Sequence, residues 1–112
     1  MKFVYEQNAF LQDVARLFVW LAIKGYLVTG GELWRPPEMQ EIYVAQGKSR
    51  TMDSNHPRRL AIDLNFFKAE VLVTDKAALQ EVGDYWESLS PENRWGGNFK
   101  TLQDCPHFER NA

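Results

Sequence analysis

Apolar residues recur at helical spacing near the start of the chain and alternate with polar ones in its middle. Phe10, Val14, Leu17, Phe18 and Leu21 fall on one helical face. Asn8 is placed to cap that helix and Gly25 to stop it. Residues 26–29 read as a strand, and Gly30-Gly31 as a bulge or turn before a second extended run, Glu32-Leu33-Trp34-Arg35. Pro36-Pro37 ends that run, and Pro37 suits the first turn of a second helix. Met39, Ile42, Tyr43 and Gln46 share the face of that helix, and Gly47 closes it. A polar loop, residues 48–59, follows. In residues 60–67 the alternation is strict: Leu60, Ile62, Leu64 and Phe66 on one face, Ala61, Asp63 and Asn65 on the other. Residues 70–73 look like its hairpin partner. Thr74 or Asp75 can cap a third helix that turns Leu79, Val82 and Trp86 inward. After the Trp95-Gly96-Gly97 turn, His107-Phe108-Glu109 reads as a last short strand. Helices mixed with antiparallel strands make the fold class α+β: a small antiparallel sheet packed with helices.

The pattern accounts for one domain over residues 1–112. With 45% hydrophobic residues a core can form, so disorder is excluded. A formal net charge of -2 and the lack of a binding motif argue against a nucleic-acid partner. The most apolar stretch, residues 14–30, is broken by Arg16 and Lys24, so no membrane insertion is expected. Lys2 is followed by Glu6, Gln7 and Asp13 rather than an apolar run, so no signal peptide is expected and the chain is cytoplasmic at synthesis. The single cysteine, Cys105, fits a reducing compartment. A monomer is expected.

The chemistry concentrates in two runs, Ser54-Asn55-His56-Pro57-Arg58-Arg59-Leu60-Ala61-Ile62-Asp63 and Asp104-Cys105-Pro106-His107-Phe108-Glu109. They hold both histidines of the chain. A histidine beside a proline is usually a surface residue, and an aspartate inside a strand is costly if buried unpaired. Together, His56, Asp63 and His107 offer three N/O ligands with a fourth position left to water, the layout of a catalytic zinc site. Such a zinc lowers the pKa of its bound water toward ~7. Asp104, three residues before His107, is a spare carboxylate able to act as general base. Cys105 between them would point to the opposite face of a strand and is left out of the ligand set. Ser54 reads as a hydrogen-bond partner, since no third histidine exists to activate it as a nucleophile.

Ser54-x-His56-x6-Asp63 followed by Asp104-x-x-His107 resembles the zinc peptidases that include D-Ala-D-Ala carboxypeptidases, dipeptidases and phage L-alanyl-D-glutamate endolysins, which share their fold with the Hedgehog signalling domain. The stretch from Trp86-Glu87-Ser88-Leu89 through Arg94-Trp95-Gly96-Gly97 to Asp104 resembles the phage branch, and the match spans about residues 25–109. The resemblance implies one zinc on His56, Asp63 and His107, Asp104 as the acid/base, and an arginine at a strand–helix junction, which here looks like Arg35. An arginine there can hold the polarised carbonyl oxygen or a substrate carboxylate. It implies hydrolysis of an amide bond in the peptidoglycan stem peptide, between L-alanine and D-glutamate, after another factor releases the enzyme to the wall. A D-Ala-D-Ala carboxypeptidase, with Arg58 or Arg59 as a second cation for the free carboxylate, is the enzymatic alternative. A zinc-binding Hedgehog-like module without catalysis is the alternative from another class, and Asp104 argues against it. The family usually has glycine three residues after the first histidine. Arg59 stands there, which implies an ordinary backbone conformation or an adapted loop. The basic residues Lys48, Arg50, Arg58 and Arg59 read as a solvated loop, or as an attractor for stem-peptide carboxylates. Trp34, Trp86 and Trp95 read as core, with Trp95 also placed to line a groove.

Overall fold

The computed structural model describes residues 2–33, 37–47 and 58–111. Along the chain run α1 (Lys2–Lys24), β1 (Leu27–Gly30), α2 (Pro37–Ala45), β2 (Ala61–Lys68), β3 (Val71–Val73), α3 (Lys76–Ser88), β4 (Asn93–Trp95), a 3₁₀ turn (Gly96–Asn98) and β5 (His107–Arg110). The fold is α+β with an antiparallel sheet in the order β1-β2-β5-β4, and β3 also pairs with β2.

Strand β2 organises the sheet because it is long enough to serve several partners. Its first half pairs with β5 and its second half with β1 and β3. The expected alternation holds. Leu60, Ile62, Leu64 and Phe66 are buried in the core beside Phe108. Helix α1 covers that face with Phe10, Val14, Leu17 and Leu21, and α3 with Leu79, Val82 and Trp86. Edge-to-face aromatic pairs link the layers: Phe10 to Trp86 at 5.7 Å, Trp86 to Phe108 at 6.0 Å, and Phe108 to Phe66 at 5.9 Å. Asp75 caps α3, its side chain accepting from the Ala78 N–H at 3.1 Å. No helix among the described residues is long and apolar enough to cross a membrane.

Four details depart from the sequence reading. Helix α1 starts at Lys2, not at Asn8. Its added turns are anchored from outside, since the Gln7 amide donates to the Arg58 carbonyl at 2.8 Å and Arg110 donates to Glu6 at 2.6 Å. Glu32 and Leu33 form no assigned strand; Gly31 and Glu32 instead hydrogen-bond to the backbone of Asp63. Helix α2 keeps Met39 and Tyr43 partly buried but buries Gln40 fully and leaves Ile42 45% exposed, so its inward face is turned by about a quarter of a helical turn from the expected one. Arg59 adopts φ 61°, the left-handed conformation that glycine takes easily, so the backbone shape is kept without the residue that suits it.

Trp95 is fully buried and lines no groove. Its indole N–H donates to the Cys105 carbonyl at 2.8 Å, and two glycines make room for its ring. A Cβ at Gly83 would stand 2.1 Å from Trp95 Cε3. In an open helix, Gly83→Ala would gain ~1 kcal/mol in helix propensity. Here overpacking against a ring that is hydrogen-bonded in place should cost about 3 kcal/mol. The expected net loss is therefore about 2 kcal/mol by urea unfolding. A variant as stable as the parent would show that the ring can yield.

Candidate metal centre

Asp63 and His107 are brought together by strand register. They are direct partners across the antiparallel β2–β5 ladder. The backbone of Asp63 is engaged on the other edge of β2: its N–H donates to the Glu32 carbonyl at 2.8 Å, and its carbonyl accepts from Gly31 N–H at 2.8 Å. On the β5 side the flanking residues make the ladder bonds, Leu64 N–H to the Pro106 carbonyl at 2.9 Å and Arg110 N–H to the Leu60 carbonyl at 2.8 Å. Asp63 and His107 therefore form a non-hydrogen-bonded pair, the kind in which facing side chains approach most closely. Gly31 keeps the Asp63 edge tight, since a Cβ there would lie 3.0 Å from the Asp63 carbonyl oxygen.

Asp104 arrives by a turn. Its N–H donates to the Gly96 carbonyl at 3.0 Å, and its carbonyl accepts from His107 N–H at 3.0 Å. The turn lies so close over Gly96 that a Cβ there would meet the Asp104 oxygen at 2.1 Å and His107 Cβ at 2.9 Å. As a result one ligand atom each from Asp63, Asp104 and His107 lie within 4.8 Å of one another. His107 is buried, Asp63 is half-buried and Asp104 is exposed. The geometry fits a metal. His107 Nδ1 stands 3.5 Å from Asp63 Oδ1, longer than an ordinary N–H···O bond of about 2.7–3.2 Å. Two ligands about 2.0–2.2 Å from one zinc, at a tetrahedral angle, stand roughly 3.4 Å apart. The donors are the hard oxygen and imidazole nitrogen that zinc accepts.

The other ring nitrogen of His107 is also held. Nε2 lies 2.6 Å from Glu109 Oε1, and Arg94 Nε donates to Glu109 Oε2 at 2.9 Å. Burial works against a charged His107 ring, but hydrogen bonding and charge from Asp63 and Glu109 outweigh it and push the pKa up to about 9. Burial would likewise raise the Glu109 carboxyl, and His107 and then Arg94 hold it below the usual carboxylate range. Burial, then the charge of Asp104, raises the Cys105 thiol. Cys105 is partly buried and packs against the core.

Of the residues singled out from sequence, Asp63, Asp104 and His107 converge. His56, Ser54, Trp34 and Arg35 lie outside the described residues. Glu87 accepts from the Trp95 N–H at 3.0 Å and from Asn98 at 3.1 Å, so it clips the 3₁₀ turn in place. In the sequence Gly96 reads only as part of a turn, and Glu109 stands outside the ligand set. The signal for Glu109 was present: it lies two residues from His107 on a strand, hence on the same face.

A sequence model of the D-alanyl-D-alanine carboxypeptidase family matches residues 47–110, just over half of the chain. Among solved structures, the fold is similar to that of the L-Ala D-Glu endopeptidase ChiX of Serratia marcescens. The TM-score is 0.69 at 27% sequence identity, covering 88% of this chain and 78% of that one. No curated protein matches the chain.

The His107 pair sets a pH dependence on the metal-free protein. Its folded pKa is raised from 6.5 to about 9, so its contribution is fully present below about pH 6.5 and is lost as pH rises through 9. Urea unfolding in the presence of a chelator should show stability falling from pH 6.5 to 9.5, by on the order of 3 kcal/mol if this group acts alone. Stability that stays flat or rises over that window would contradict the arrangement of carboxylates around the ring.

Proposed function

Because the chain belongs to the D-alanyl-D-alanine carboxypeptidase family, we propose that it is a zinc-dependent peptidoglycan peptidase that cuts the stem peptide between L-alanine and D-glutamate. The family makes it a peptidase. The observation that carries the metal reading is the convergence of Asp63, Asp104 and His107 within 4.8 Å. The choice of bond is supported by the likeness to the Serratia endopeptidase.

In this reading His56, Asp63 and His107 hold one zinc, with His56 coming from the segment that precedes β2. A zinc held there would polarise the scissile carbonyl and lower the pKa of water toward ~7. Asp104 is exposed beside Asp63 and His107, where it can take the proton of the attacking water and return it to the leaving amine. Arg35 holds the substrate, through the carbonyl oxygen or a stem-peptide carboxylate. The family description favours a second reading, removal of the terminal D-alanine by a carboxypeptidase.

Mass spectrometry of purified peptidoglycan after digestion tests the reading. Cleavage as proposed yields peptides that begin with D-glutamate and leaves L-alanine on the glycan. Release of free D-alanine alone would assign the carboxypeptidase reaction, and undigested wall with zinc present would overturn both.

Two variants separate binding from catalysis. His107→Ala should lose stoichiometric zinc, and full zinc affinity in that variant would remove His107 from the ligand set. Asp104→Asn should keep zinc and fold, while kcat falls by on the order of 10²–10⁴. A wild-type rate with zinc bound would make Asp104 structural.

A further inference from the structure

We propose that Glu109, backed by Arg94, is a positioning residue that locks His107 with its ring proton on Nε2 and so presents Nδ1 to the metal. The inference rests on the metal reading above and adds which atom of His107 serves, and what fixes it.

An ionised carboxylate only accepts hydrogen bonds. With Glu109 Oε1 at 2.6 Å from Nε2, the proton of a neutral ring belongs on Nε2, and the bare nitrogen is Nδ1. That nitrogen is the one facing Asp63, at 3.5 Å. A ring turned over would place Nδ1 toward Glu109 and Nε2 toward the metal side. Glu109 alone could accept from either nitrogen, so the ring must also be held in place. The Phe99 ring lies 5.7 Å from the His107 ring, centroid to centroid, and limits its rotation. Both His107 and Glu109 are buried, and they lie on one face of β5.

A buried carboxylate persists as an anion only when it is paired and hydrogen-bonded. Glu109 divides its two oxygens. Oε1 takes the imidazole, and Oε2 takes Arg94 Nε at 2.9 Å. Its backbone is fixed as well, with the carbonyl accepting from the Trp86 indole at 3.1 Å. Arg94 is directly opposite Glu109 in the β4–β5 ladder, which sets the reach of the guanidinium. The arrangement is that of a metal-ligating histidine whose second nitrogen donates to a carboxylate, a contact that orients the ring and raises its basicity.

The test uses the full chain and zinc alone. Long-range ¹H–¹⁵N NMR on metal-free wild type, above the titration of the ring, should show His107 as the Nε2–H tautomer. Glu109→Gln keeps the shape, but its amide can donate as well as accept. It should show a mixture of tautomers and bind zinc 10–100-fold more weakly. Arg94→Met, at an exposed position, should keep the Nε2–H tautomer and weaken zinc by a smaller factor. A wild-type Nδ1–H tautomer overturns the proposal, and that measurement needs no variant to fold. Equal zinc affinity in wild type and folded Glu109→Gln also overturns it while leaving the metal reading intact. A wild type that binds no zinc overturns the metal reading and this inference with it.

Discussion

The pairing of Asp63 with His107 across β2 and β5 is the constraint on which the site depends. A slip of one residue in that ladder would turn Asp63 into the core and bring Ile62 or Leu64 to the site face. The register is secured by the apolar face of the same strands. Leu60, Ile62, Leu64, Phe66 and Phe108 fill the space beneath α1 and α3 only in the observed pairing. The chemistry on one face of the sheet is thus placed by hydrophobic packing on the other. The segment at Gly31 and Glu32 adds the second condition by taking up the backbone groups of Asp63, which leaves a close, non-hydrogen-bonded pair with His107.

Around that pair the electrostatics are arranged in a chain: Asp63, His107, Glu109, Arg94. Each link is short enough to influence the next, and only Arg94 at its end is exposed. Without a metal, two carboxylates stabilise a charged imidazole, which accounts for its raised pKa. A metal between Asp63 and His107 would replace that proton, since a ligating imidazole must be neutral on the bound nitrogen. One set of contacts therefore serves two states. The exposed Asp104 stands beside them, carried on a turn whose closeness depends on Gly96 having no side chain.

Much of this was legible in the chain. Period-two alternation in residues 60–67 separates core from site on β2, and the apolar spacing around Leu79, Val82 and Trp86 gives the inward face of α3. The motif spacing from Asp63 to Asp104 and His107 identifies the residues that converge, although the sequence says nothing of the strand pairing that joins them. What was not legible depends on tertiary partners. The first turns of α1 gain support from Arg58 and Arg110, which are distant in sequence. The inward face of α2 is set by buried Gln40, a polar residue that pattern reasoning assigns to solvent. Asp13 is another, buried on α1 where it accepts from the Asn93 amide at 3.1 Å. Arg59 takes a left-handed conformation that its side chain disfavours, which shows that the turn into β2 imposes the backbone shape on whatever residue stands there. The need for glycine at position 96 becomes visible only once the Asp104 turn lies on it.

In the proposed function the β2–β5 face would hold a zinc between a carboxylate oxygen of Asp63 and Nδ1 of His107. An anomalous difference map, recorded at the zinc edge on crystals of the zinc-loaded protein, tests it most directly. A single strong peak is expected about 2.0–2.2 Å from both atoms, with His56 as the third protein ligand. A peak elsewhere, a peak bonded to Nε2 of His107, or no peak in a zinc-loaded crystal would contradict it.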